Sequence, residues 1–108
     1  MMNLISCQQL KEKIDRHEVF KLVNALEEDK FRAMHIPGSI CVCRKEDIPK
    51  RLSPDDEIVV YCTDISCNRS IIIYQQLNEL GYKKIFRFAE GLRGWGDAGY
   101  KLEGERVK

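Results

Sequence analysis

Apolar residues in this chain fall into short runs separated by polar turns. Ile58-Val59-Val60-Tyr61 is the clearest run: four consecutive β-branched or aromatic residues without alternation. A strand that reads this way is buried on both faces, as in a parallel sheet covered by helices on each side. The spacing therefore predicts a strand over 57–62. Shorter runs predict strands over 19–23, 40–43 and 84–88. Between them the periodicity turns helical. Ile73, Leu77 and Leu80 predict a helix over 70–80, stopped by Gly81. Ser6 followed by Gln9 reads as a capping box that opens a helix over 7–16, with Leu10 and Ile14 inward. Weaker helical patterns cover 27–32, 45–52 (which contains Pro49) and 92–98, where Trp95 is a candidate core anchor. The stretches 35–39 and 53–56 are turns, and the polar tail is expected to be loose beyond about residue 103. Strand, helix and strand recur with short joints, which is the signature of an α/β fold with an open parallel sheet.

Length and charge narrow the partners. A chain of 108 residues predicts one domain over 1–108. Lys+Arg 18 against Asp+Glu 17 leaves a net charge of +1, so bulk electrostatics favours neither nucleic acid nor an anionic membrane. No apolar run approaches the ~20 residues that span a bilayer. The start, MMNLISCQQLKEK, lacks the basic region and apolar stretch of a signal peptide, and the expected location is cytoplasmic. Five cysteines, at 7, 41, 43, 62 and 67, are an odd count that argues against a disulfide scaffold. Reduced thiols are expected, each to be weighed as packing, ligand or nucleophile.

The stretch VVYCTDISCNRS, residues 59–70, concentrates the chemistry. Sites in open parallel sheets form beyond the carboxyl ends of strands, where loops lead into helices. Cys62 stands at that end of the strongest strand, and Thr63, Asp64, Ile65, Ser66, Cys67, Asn68 and Arg69 carry the chain to the helix at Ser70. Main-chain N–H groups of such a loop can converge on the sulfur and favour thiolate over thiol. A free thiol with a pKa of ~8.5 is about 3% ionised at pH 7, and a drop of ~2 units, worth ~2.7 kcal/mol, makes it about 75% ionised. Arg69 is a candidate cation for this purpose, while Asp64 would raise the thiol and repel anions. The competing reading is that Cys62 is buried packing, a common role for cysteine.

These residues resemble the rhodanese-like domain family over about residues 4–104. HIPGS at 35–39 is similar to its HIPGA-type signature, and EIVVYC at 57–62 to the strand that ends in its catalytic cysteine. LNELGYKKIFRFAEGLRGWGDAGYKLEG resembles its closing segment, with Gly91 and Trp95 in the G-x-x-x-W pattern. The resemblance implies an open, mainly parallel five-stranded sheet with helices on both faces. It implies a sulfurtransferase or sulfur carrier whose Cys62 takes a sulfane sulfur as a persulfide and hands it to a nucleophilic acceptor. The donor would be a protein or small-thiol persulfide, or thiosulfate, and the acceptor a thiol or protein. No cofactor, metal, nucleic acid or membrane is implied. Residues 63–70 would form the substrate-binding loop, its amides cradling the persulfide and Arg69 orienting an anionic donor.

The sequence departs from the family pattern in three places. The family's C-x4-R is C-x6-R here, Asn24-Ala25-Leu26 replaces Asp-Val-Arg, and Glu90 stands where a second glycine is common. A subgroup with a second cysteine in the loop fits better. Cys67 is then either a resolving thiol, which would form a disulfide with Cys62, or packing at the helix start. Two further functions remain open: a non-catalytic binding or redox-sensing module, and a thiolate-dependent phosphatase or arsenate reductase. Cys41-x-Cys43 with Cys62 and Cys67 departs from usual zinc spacings. His35 is expected to be a hydrogen-bonded loop residue, and one of Ile71, Ile72 and Ile73 to be exposed near the loop.

Overall fold

The computed structural model describes residues 2–107. Four strands form one parallel sheet: β1 (Lys21–Asn24), β2 (Ser39–Cys41), β3 (Ile58–Tyr61) and β4 (Ile85–Phe88), in the order β2-β1-β3-β4. Leu22 pairs with Ser39 on one side and Val59 on the other, and Val59 pairs with Phe86. β3 is thus flanked on both edges, and all four of its residues are buried, as its unbroken apolar run predicts.

The sheet has four strands rather than the five that the resemblance implied, and beside β4 the chain adds only an isolated bridge. Leu4 makes an isolated parallel bridge to Arg87, with Ile5 N–H donating to Arg87 O and Arg87 N–H donating to Asn3 O. The chain turns into its first helix directly afterwards: Ser6 Oγ accepts from Gln9 N–H and Gln9 Oε1 accepts from Ser6 N–H. This capping box fixes the start of α1 (Cys7–Asp15) and leaves too little extended chain for a strand.

The other helices are α2 (Glu28–Ala33), α3 (Ile48–Arg51), α4 (Arg69–Glu79) and α5 (Gly91–Asp97). The single helix expected over 45–52 divides into a 3-10 turn, Lys45–Asp47, and α3, because Pro49 is tolerated only in a first turn. α4 buries Ser70, Ile73, Tyr74 and Leu77, a complete i, i+3, i+4, i+7 stripe. Neighbouring strand residues face opposite ways. On β4, Arg87 reaches Ser70 of α4 while Phe88 packs edge-on against Trp95 of α5, so α4 and α5 cover opposite faces of the sheet.

Residues of the tail are hydrogen-bonded to the body of the domain. Glu103 and His35 exchange both main-chain hydrogen bonds, and the amides of Glu105 and Arg106 donate to the carbonyls of Arg32 and Ala33. The carbonyls at the end of α2 provide acceptors that a polar tail satisfies. His35 itself stacks on Phe31, and its Nδ1 lies 2.8 Å from Phe31 O.

Candidate functional site

The strands run parallel, so the ends of β1, β2, β3 and β4 all open on one edge of the sheet. The loop after β3 occupies its centre. Cys62 comes directly after the last residue of β3 and is 1% exposed. Its carbonyl and that of Thr63 accept hydrogen bonds from Leu92 and Arg93 N–H, each at 2.9 Å. The first turn of α5 therefore clamps the base of the loop. Gly91 makes this possible. Its φ is +63°, and a Cβ there would overlap Cys62 O and the Thr63 carbonyl. Glu90, which replaces the family's other glycine, has ordinary helical backbone angles.

The loop folds back on itself. Asp64 Oδ1 accepts from Ser66 N–H at 3.0 Å and from the Ser66 hydroxyl at 2.7 Å, and Cys67 N–H donates to Asp64 O. The Ser66 hydrogen bond holds the Asp64 carboxyl below its ordinary value, aided by Ser66 N–H and the nearby Arg93 charge. Its negative charge is thus engaged on the outer side of the loop. Ile65 forms the tip and is 76% exposed.

The fold-back brings the two thiols together. Cys62 Sγ lies 3.5 Å from Cys67 O and 3.4 Å from Ser70 Oγ, so its S–H has a main-chain and a side-chain acceptor, and both cysteines are free thiols. Their environments differ. Burial pushes the Cys62 thiol up, the Cys67 sulfur adds to this, and the Ser70 hydroxyl and amide only partly oppose it. Burial also acts upward on Cys67, yet hydrogen bonds from Cys62, from the Thr63 and Arg69 amides and from the Thr63 hydroxyl outweigh it and hold Cys67 below an ordinary thiol. The two shifts oppose each other, so the proton is held more tightly on Cys62 than on Cys67.

The Arg69 guanidinium is turned to the main chain: Nε donates to Ala25 O at 2.9 Å and a terminal nitrogen to Cys43 O at 3.1 Å. It pins the first turn of α4 to the ends of β1 and β2. Asn68 lies at the exposed entry to that turn. Asn24, in place of the family's aspartate, is fully buried, and its amide donates to Tyr61 Oη while its oxygen caps Leu26 N–H. Tyr61 Oη also accepts from Ile36 N–H and meets Ser39 Oγ. That hydroxyl ties the HIPGS turn to β3 directly beneath Cys62.

Two participants escape the sequence reading. One is the α5 amide clamp, which only Gly91 hints at. The other is Arg87, 8% exposed, whose Nε donates to Ser70 Oγ at 2.9 Å; a lone charge inside the apolar run IFRF was the available signal. A cleft of about 390 Å³ opens beside Thr63, lined by Leu26, Leu92 and Arg106 among others. Cys41 and Cys43 line a separate cavity, and no cluster of three or more His, Cys, Asp or Glu among the described residues is placed to hold a metal ion. No helix among them is long and apolar enough to cross a membrane.

Comparison with known proteins agrees with this architecture. The rhodanese-like domain family matches residues 6–98, and the chain belongs to that family. It is 30% identical over 94 residues to a Bacillus subtilis (strain 168) protein named "Putative sulfur carrier protein YrkF"; the match covers 84% of this chain and 49% of that one. The chain thus spans about half the length of this curated relative. Among solved structures, the BH2092 protein of Bacillus halodurans superposes with a TM-score of 0.88 at 23% identity, over 97% of this chain and 79% of the other. The rhodanese-like domain of the Anabaena Alr3790 protein gives 0.84 at 20% identity, over 98% and 82%. A thiosulfate sulfurtransferase from Pseudomonas aeruginosa gives 0.80 at 24% identity, over 99% of this chain and 21% of that one. At these identities the structures speak for the fold alone.

Proposed function

We propose, on the premise of this family membership, that the chain is a sulfurtransferase or sulfur carrier that forms a persulfide on Cys62 and passes it to a thiol or other nucleophilic acceptor. The observation that carries this reading is Cys62 at the centre of the sheet's carboxyl edge, its Sγ against Cys67 O and Ser70 Oγ in a loop that holds the second thiol beside it. As the Cys62 sulfur attacks the terminal sulfur of a donor R–S–SH, its proton passes to the Cys67 thiolate. A Cys62–sulfur bond forms, the donor S–S bond breaks, and RS⁻ leaves. An acceptor thiolate then attacks the outer sulfur and the Cys62 thiolate is the leaving group.

Cys67 also gives the persulfide an internal exit. Once it has released to solvent the proton taken up during loading, its thiolate can attack the inner sulfur of Cys62–S–SH, forming a Cys62–Cys67 disulfide and releasing HS⁻. Acceptor and resolving thiol then compete for one intermediate. The same proximity supports the second reading, a redox-sensing module in which the two thiols form a disulfide under an oxidant without carrying sulfur.

A protein or small-thiol persulfide suits the loop better than thiosulfate as the donor. Arg69 is hydrogen-bonded to carbonyls, and the Asp64 carboxylate stands at the loop's outer side. The exposed Ile65 offers an apolar contact to a protein donor.

Intact-protein mass spectrometry tests the reading after exposure to thiosulfate and, separately, to a small-thiol persulfide. The expected result is a gain of one sulfur, removed by cyanide, absent in Cys62→Ser, and larger with the persulfide. A disulfide as the sole product, with no sulfur ever gained, would replace the carrier reading with the redox one.

A further inference from the structure

We propose that Arg87 is a positioning residue for the chemistry at Cys62: a buried cation that acts through the Ser70 hydroxyl to hold negative charge on the Cys62 sulfur. This rests on the reading of Cys62 as the sulfur carrier and adds a residue that the family signatures do not contain.

Arg87 lies on the face of β4 turned toward α4, and its main chain is locked on the other edge by Asn3 and Ile5. Among the described residues no carboxylate forms an ion pair with it. A guanidinium buried without an anion is costly, and the fold would be expected to replace it unless the charge is used. The polar side chain to which Arg87 donates is Ser70, itself 1% exposed, and Ser70 is the side chain against Cys62 Sγ outside the loop.

The chain Arg87–Ser70–Cys62 has a defined direction. Arg87 N–H occupies a lone pair of Ser70 Oγ. When Cys62 is a thiol, its S–H shares its donation between this oxygen and Cys67 O. When charge arrives on Cys62, as thiolate or as persulfide, the serine proton turns to the sulfur and the hydroxyl becomes the donor. Arg87 stabilises that second state, because its charge polarises the O–H toward the sulfur. The other groups around Cys62 do not supply this. Cys67 is the remaining titratable neighbour and carries the opposing charge, Arg69 is bound to carbonyls, Asp64 is held by Ser66, and Glu90 faces Cys7 N–H.

The test uses Cys67→Ser as the background, so that Cys62 titrates alone, and monitors iodoacetamide labelling of Cys62 by intact mass against pH. In that background Arg87→Gln is expected to move the labelling profile up by about one pH unit, roughly tenfold slower labelling on its acid limb. Arg87→Lys should restore most of the rate. With Ser70→Ala added, Arg87→Gln should change labelling by less than about twofold, since the link is gone. An unmoved profile in Arg87→Gln, or an equal shift with and without Ser70, overturns the proposal. Should Arg87→Gln fail to fold, Ser70→Ala alone decides, because it must itself shift the profile upward. Labelling needs no sulfur donor, so this result stands apart from whether Cys62 ever carries a persulfide, which the mass of the sulfur-treated protein decides.

Discussion

Two pairs of cysteines sit on the same carboxyl edge of one sheet, and they have opposite chemistry. Cys62 and Cys67 bracket the loop after β3; Cys41 and Cys43 stand at the end of β2. Each pair is close enough for a side-chain hydrogen bond. In the loop pair, against the upward push of burial, the Cys62 thiol and then the Thr63 and Arg69 amides hold Cys67 below an ordinary thiol. At β2, burial, the Cys43 sulfur and Glu28 push Cys41 up to about 11 against a partial opposition from Arg51, and its S–H donates to Leu26 O at 3.3 Å. The cavity beside Cys41, about 860 Å³ and lined by Arg32, Arg44, Lys50 and Arg51, is larger and more basic than the cleft beside Thr63. Neither strand-end position nor a basic cavity makes a thiol acidic. The difference lies in how the chain leaves each strand. β3 runs into a loop that closes on a helix start, whereas β2 continues extended into Arg44 and its Cys41 meets the Leu26 carbonyl just past the end of β1.

The sharpest break of this comparison is to remove one thiol from each pair. Cys62→Ser should abolish sulfur gain on the protein, while Cys41→Ser and Cys43→Ser should leave it within about twofold, read by intact mass. Next in size is Gly91→Ala. It forces a side chain into the Cys62 and Thr63 carbonyls at positive φ, and should cost about 3 kcal/mol in urea unfolding while also loosening the loop. Gly96→Ala, where the added Cβ makes only ordinary contact with Leu102 within α5, should leave stability unchanged or raise it by up to about 1 kcal/mol.

The same contrast explains why some elements were legible in the sequence. The unbroken run at 58–61, the i, i+3, i+4 spacing after Ser70 and the Ser6–Gln9 pair dictate β3, α4 and the start of α1, because each is decided by local burial or local hydrogen bonds. The placement of the candidate site at the end of β3 is a consequence of those elements. The features that escaped reading depend on contacts distant in the chain. Leu4 becomes a bridge rather than a strand because α1 starts so soon. The polar tail is tied by carbonyls of α2, some 70 residues earlier. Arg69, the candidate cation nearest Cys62 in sequence, binds carbonyls instead, and Arg87 on β4 reaches Ser70. No local pattern carries that outcome, since it depends on which arginine the sheet face turns inward.

Within the loop pair, Cys67→Ser sharpens the comparison further. Part of the upward push on Cys62 comes from the neighbouring Cys67 sulfur, so its removal should make Cys62 more acidic, seen as faster labelling of Cys62 on the acid limb of the profile. In the unmodified protein the pair gains its first negative charge at Cys67, below the ordinary thiol value. Sulfur loading should therefore fall as the pH drops through that ionisation and hold above it. The variant should also lose the internal disulfide, so that cyanide recovers all the sulfur gained rather than a part.

The smallest effect is expected at Cys41, and it tests the claim that amide donors rather than location set reactivity. A thiol titrating near 11 is only about 0.1% ionised at pH 8, whereas one held below its ordinary value is ionised more than a free thiol. A limiting amount of iodoacetamide at pH 8 should label Cys67 first and leave Cys41 untouched, as read by peptide mapping. Glu28→Gln removes one of the groups that raise Cys41, but burial, the first cause, remains. Labelling of Cys41 should rise only about two- to threefold, and it should stay far below that of Cys67. Comparable labelling of the two would mean that the edge of the sheet itself, not the helix-start loop, activates its thiols.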